Sequence, residues 1–95
     1  MKEIVWSPQA KNDLQEIYDH IAADSFDSAE LMINHIIERV GILTDQPFSG
    51  RKVPEINQND IREVFKGNYR IIYSLESASS ISILRVIHFS RLLPA

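Results

Sequence analysis

The chain has 95 residues, 44% hydrophobic and 24% charged, the make-up expected of one folded domain over residues 1–95. It has no cysteine, which excludes disulfides, thiolate metal sites and a cysteine nucleophile. The net charge of −3 hides a split, with three basic against nine acidic side chains in residues 1–50 and seven against four in residues 51–95.

Residues 2–6 (KEIVW) form a short strand candidate. Ser7-Pro8 then reads as a helix N-cap followed by proline at the first helical position, where the missing N–H costs nothing. Ala10, Leu14, Ile17, Tyr18 and Ile21 recur at helical spacing, and the helix is expected to end near Ala23. Lys11, Asp13, Glu16 and Asp19 fall on its solvent side. Residues 24–30 read as a turn into a second helix, with Asp27 and Glu30 spaced as a capping box. Ala29, Met32, Ile33, Ile36, Ile37, Val40 and Leu43 carry that helix, which should stop before Pro47. Two amphipathic helices on a short link predict an antiparallel hairpin of helices that needs a surface to cover. Residues 46–60, with two prolines and a glycine, read as a connecting loop.

After the loop the apolar period changes to two. Residues 61–66, 69–76 and 80–89 are predicted strands, joined by Gly67-Asn68 and by residues 77–79. The order βααβββ predicts an α+β fold: an antiparallel twisted sheet, joined by the first strand, with the helix hairpin packed on one face. In the last strand, strict alternation puts Ile81, Ile83, Arg85, Ile87 and Phe89 on one side and Ser82, Leu84, Val86 and His88 on the other. Both sides are largely apolar, so this strand should be central. Arg85 among apolar neighbours then requires a partner, because an unpaired buried guanidinium is costly.

No window approaches the ~20 apolar residues of a membrane span, and the first ten residues lack a signal-peptide core. A cytoplasmic protein with no membrane partner is expected. The acidic whole argues against unaided, sequence-specific DNA binding, while the basic half suits an acidic partner. His20 and His35 have no carboxylate or histidine at metal-ligand spacing, so neither a metal nor a cofactor is expected. His88 is the one candidate for acid–base chemistry, since its ordinary pKa lies near ~6.5. Its simpler reading is structural, at a strand end. Arg51 and Lys52 read as solvated loop charges, and Tyr69 and Tyr73 as core.

The motifs Ser49-Gly50-Arg51, Val53-Pro54-Glu55, Ile61-Arg62-Glu63, Tyr69-Arg70-Ile71-Ile72-Tyr73 and Val86-Ile87-His88 with Arg91 resemble the ParE/RelE superfamily of type II toxin–antitoxin toxins, the plasmid stabilisation proteins. The resemblance extends to residues 6–21 and so covers nearly the whole chain. It implies the βααβββ fold and a cognate antitoxin whose C-terminal segment wraps the toxin. It also implies one of two activities. RelE-like members cut messenger RNA on the ribosome, which requires an activated 2′-OH, cations on the phosphorane and an acid for the leaving oxygen. ParE-like members resemble inhibitors of DNA gyrase and are not known as nucleases.

Arg70 matches the superfamily's strand arginine, and Arg62 lies near a basic position of the preceding strand. A nuclease here would use His88, Arg70 and Arg62. Yet Val64 and Phe65 stand where a second lysine is expected, and only Leu-Leu-Pro-Ala follows Arg91, with no tyrosine. The expectation is therefore a ParE-like gyrase inhibitor with no catalytic residues, whose Arg62, Arg70, Arg85 and Arg91 face an acidic partner. A ribosome-dependent endoribonuclease and a non-toxic member that only binds antitoxin are the alternatives.

Overall fold

The computed structural model describes residues 2–91. Strand β1 (Glu3–Trp6) leads into helices α1 (Pro8–Ala22) and α2 (Phe26–Gly41), the latter extended by a 3₁₀ turn at Ile42–Thr44. Strands β2 (Arg51–Lys52), β3 (Ile61–Lys66), β4 (Tyr69–Ser77) and β5 (Ser80–His88) follow. They form one sheet in the order β1-β5-β4-β3-β2, antiparallel except for the parallel β1/β5 pair. The α+β order and the central last strand match expectation. The addition is β2, a two-residue edge strand inside the predicted loop.

Ser7 caps α1, its hydroxyl accepting from the Ala10 N–H at 3.0 Å. The cap of α2 is Ser25, which accepts from Ser28 N–H at 3.1 Å. Asp27 sits in the first turn, where its charge favours the helix N-terminus, so the expected Asp27/Glu30 box gives way to a serine cap. Gly67 opens the β3/β4 hairpin turn at φ +56°, a conformation that side-chain-bearing residues avoid.

The main core lies between the helices and the sheet. Ile17, Ile36, Val40 and Leu43 meet Val64, Ile71, Tyr73, Ile81, Ile83 and Val86 there. A smaller cluster of Val53, Ile72 and Ile87, flanked by Ile56, Ile61 and Leu84, fills the opposite sheet face beneath residues 53–61. The sheet is thus covered on both faces, which is why β5 reads apolar on both sides. No helix among the described residues is long and apolar enough to cross a membrane.

Strict alternation along β5 does not hold. Ile72 pairs with Arg85 but Tyr73 pairs with Ile83, so Leu84 is an extra residue and the strand is bulged. Past the bulge the phase flips. Val86 joins Ile81 and Ile83 in the helix-side core, while Leu84 and Ile87 pack on the other face.

Candidate functional site

Three arginines of the second half, Arg51, Arg70 and Arg85, are held by carboxylates. Arg70, on β4, is 4% exposed. Its Nε donates to Glu63 Oε1 at 2.7 Å, and its two Nη atoms fork onto Glu55 at 2.8 and 2.9 Å. Nη1 also donates to the Arg91 carbonyl at 2.8 Å. The Glu55 bonds, then Glu63, raise the Arg70 pKa against the opposing effect of burial. Glu63, on β3, has a buried side chain and accepts a second cation, Arg51 Nε of β2, at 2.7 Å. The chain Arg51–Glu63–Arg70–Glu55 alternates in sign, so the buried guanidinium carries no uncompensated charge. Such a group has no free fork for a phosphate.

Arg85 is held from the helix side. Its Nε and Nη2 donate to Asp13 of α1 at 2.9 and 3.2 Å, and the Val86 N–H donates to the same carboxylate at 2.9 Å. These bonds raise the Arg85 pKa despite partial burial. Ser7 completes the seam, donating to the Leu84 carbonyl at 3.0 Å while it caps α1. Strand β1 stops at Trp6, opposite Ile83. Beyond it, Ser7 and Asp13 satisfy backbone groups of the bulge that a neighbouring strand would have met. Asp13 is therefore only 3% exposed, not on the solvent side as helical spacing suggested.

Arg62 is spent on the loop between α2 and β3. It donates to the Asn59 carbonyl, Asn59 Oδ1 and the Gly50 carbonyl at 2.9–3.0 Å, and its guanidinium lies 5.0 Å from the Phe48 ring centre. Buried Tyr73 anchors the same loop, donating to the Pro47 carbonyl at 2.7 Å and accepting from the Gly50 N–H at 3.1 Å. Burial raises the Tyr73 pKa. A Cβ on Gly50 would lie 2.5 Å from the Glu63 carbonyl oxygen, so the Ser-Gly-Arg motif needs glycine here.

His88 ends β5 with Nδ1 accepting from the Ser90 N–H at 3.2 Å and 2.8 Å from the Ser90 hydroxyl. Its ring stands edge-on to Tyr69, centroids 5.9 Å apart. A groove of about 220 Å³ lies beside it, lined among others by Glu16, His20 and Arg91. Arg91 is exposed and contributes its carbonyl to Arg70.

The sheet keeps His88, Arg70 and Arg62 apart. Arg70 bonds on the face away from the helices, whereas His88 shares the helix-side phase of Val86. Arg62 pairs with Tyr73, four residues along β4 from the Tyr69 that pairs with His88. That offset is roughly 13 Å along the strand. Among the described residues no cluster of three histidines or carboxylates could hold a metal. The segment after Arg91, whose lack of tyrosine entered the reading of the sequence, lies outside the described residues.

A family model for the ParE toxin of the type II toxin–antitoxin system parDE matches residues 4–93. The chain belongs to the ParE toxin family. The fold is similar to that in the chromosomal ParDE toxin–antitoxin system from P. aeruginosa, with a TM-score of 0.76. That likeness covers 93% of this chain and 96% of the other at 23% identity. No curated protein matches the sequence. The ParE chain thus places its motif residues in defined structural roles: Gly50 at a close approach, Glu55 and Glu63 around Arg70, Tyr73 at the loop anchor. The pairing of Arg70 with Glu55 and Glu63 was not visible in the sequence, because nothing local marks contacts across 15 and 7 positions.

Proposed function

We propose that this ParE toxin acts by binding rather than by cutting: it inhibits DNA gyrase and is held inactive by a cognate antitoxin. The observation that carries this reading is the neutralised state of Arg70. A ribonuclease needs an unpaired cation next to its acid and base when phosphorane charge develops. Here that arginine faces two carboxylates, and His88 and Arg62 lie elsewhere on the sheet. Membership of the ParE family supports gyrase as the target.

The antitoxin is proposed to lie along the sheet and across the helix hairpin, where Leu14, Tyr18 and Ile33 line an apolar groove of about 430 Å³. An amphipathic segment suits such a groove. Of the four arginines assigned to partner contact, Arg91 is the exposed one. Arg62 and Arg85 can contribute only around their internal bonds, and Arg70 acts indirectly by holding the sheet face in place.

Purified toxin added to gyrase should block supercoiling of relaxed plasmid. Programmed ribosomes given the same toxin should show intact messenger RNA. Codon-biased cleavage with unimpaired supercoiling would overturn the proposal in favour of the ribonuclease. The cognate antitoxin, to be sought as a small reading frame beside the gene, should restore supercoiling when mixed with the toxin.

A further inference from the structure

The outer edge of the sheet is incomplete at one residue. In the β3 ladder Leu75 donates to Asp60 and Val53 donates to Ile61. Antiparallel pairing alternates, so Ile61, Glu63 and Phe65 direct their N–H and C=O groups away from β4. Glu63 and Ile61 face β2 and Val53, but β2 spans only Arg51 and Lys52. The preceding chain is drawn off the edge, with the Gly50 N–H on Tyr73 and the Pro47 carbonyl taking the Tyr73 hydroxyl. The N–H and C=O of Phe65 are thus left without a strand neighbour among the described residues.

Three further features converge there. Phe65 is 43% and Phe89 55% exposed, and both line a cavity of about 480 Å³ with Pro54, Arg51 and the bonded pair Arg70 and Glu55. Arg51 lies 5.4 Å from the Phe65 ring centre, and its side chain is 61% exposed although Nε is held by Glu63. Its outer donors are therefore presented at the rim of a slot whose walls are Phe65, Phe89 and Pro54. Lys52 and Lys66 flank the same edge.

The geometry points to a docking site for an extended acidic peptide segment of a protein partner. Its backbone bonds Phe65, one apolar side chain enters between Phe65 and Phe89, and a neighbouring carboxylate takes Arg51. An open backbone pair, a slot and a cation one strand away are the parts of strand-addition recognition. A nucleic acid fits less well. The Phe65 amide and carbonyl, one donor and one acceptor side by side at a sheet edge, match a peptide backbone and not a phosphodiester, which offers no N–H. The inference rests on the reading that this toxin works through protein partners, and it locates a contact separate from the helix groove.

The test is a display library of seven-residue peptides alternating Asp/Glu with random residues, selected on the intact toxin. Enriched peptides, made synthetically with a fluorescent label, are measured by anisotropy. They should carry a large apolar residue next to the acidic ones and shift the Phe65 amide in NMR spectra. Binding should fall about tenfold or more in Arg51→Gln and in Phe89→Ala, a loss in keeping with one charge-assisted contact. Phe65→Ala tests the slot, and the exposed Arg51→Gln variant keeps the test decisive if Phe65→Ala does not fold. Enrichment of no acidic peptide, binding indifferent to Arg51→Gln, or tighter binding of a labelled six-nucleotide oligothymidylate would overturn the site. If no peptide binds while the cognate antitoxin still does, the site fails and the binding reading stands. If neither binds, the binding reading fails as well.

Discussion

Arg70 shows how an arginine within a sequence motif can be committed to internal bonds. Its side chain is 5% exposed and bonded to two carboxylates. Removing one partner of a buried pair leaves the others uncompensated, typically at about 3–5 kcal/mol. Arg70→Ala should therefore lower the midpoint of urea unfolding strongly, before any effect on partners is read. Tyr73 makes a pH-dependent contribution of definite sign. Its folded pKa is raised by burial, so its stabilisation is complete below the unfolded value near ~10 and is lost as pH rises through the folded one. Urea unfolding should show wild type more stable than Tyr73→Phe by about 1–2 kcal/mol near neutral pH, from two hydrogen bonds. That gap should close above about pH 10, where the variant has no such group to ionise. A gap unchanged with pH would remove the phenol from the explanation.

At the scale of elements, the junction of α1 with β5 is the most informative. Asp13 serves Arg85 and the Val86 amide together, replacing a missing strand with a side chain. Asp13→Ala should cost about 2–4 kcal/mol, the range for stranding a buried charge and an amide. It should also speed hydrogen exchange at Val86 far more than at Ile71, in the middle of the ladder. Equal acceleration at both would indicate global loosening only. The same junction shows what a sequence can and cannot reveal. The strands at 61–66, 69–76 and 80–89 were legible because alternation and a Gly-Asn turn are local signals. The bulge was not, because Leu84 is apolar like its neighbours and an extra residue leaves no mark until pairing is known. Asp13 looked solvated because helical periodicity assigns faces only relative to one surface, and α1 also meets the edge of β5. β2 escaped notice because two residues, both charged, carry no period.

Across the whole molecule, unlike charge in the two halves has been turned partly inward. Arg85 of the second half is neutralised by Asp13 of the first, and Arg70 by carboxylates of its own half. The net basic excess of residues 51–95 is therefore a poor measure of what a partner meets, and exposed Arg51, Lys52 and Arg91 matter more than the count. The inhibitor reading has a direct consequence for toxicity. His88→Ala should leave growth arrest on induced expression undiminished, because the ring acts by packing against Tyr69 and bonding Ser90. Abolition of arrest with a soluble, folded variant would instead assign the histidine a chemical role.

The parallel pairing of β1 with β5 joins residues 3–6 to residues 80–83. Closing a loop of that size is a late, entropically costly step in folding. The strand that β1 requires is also the one that lies between β1 and β4, so the sheet cannot bridge its two ends until that strand is present. On the ribosome the helix hairpin emerges long before the surface it covers. A nascent chain therefore stays without its finished scaffold until β5 has left the ribosome, and until then the apolar faces of both helices have no sheet to cover.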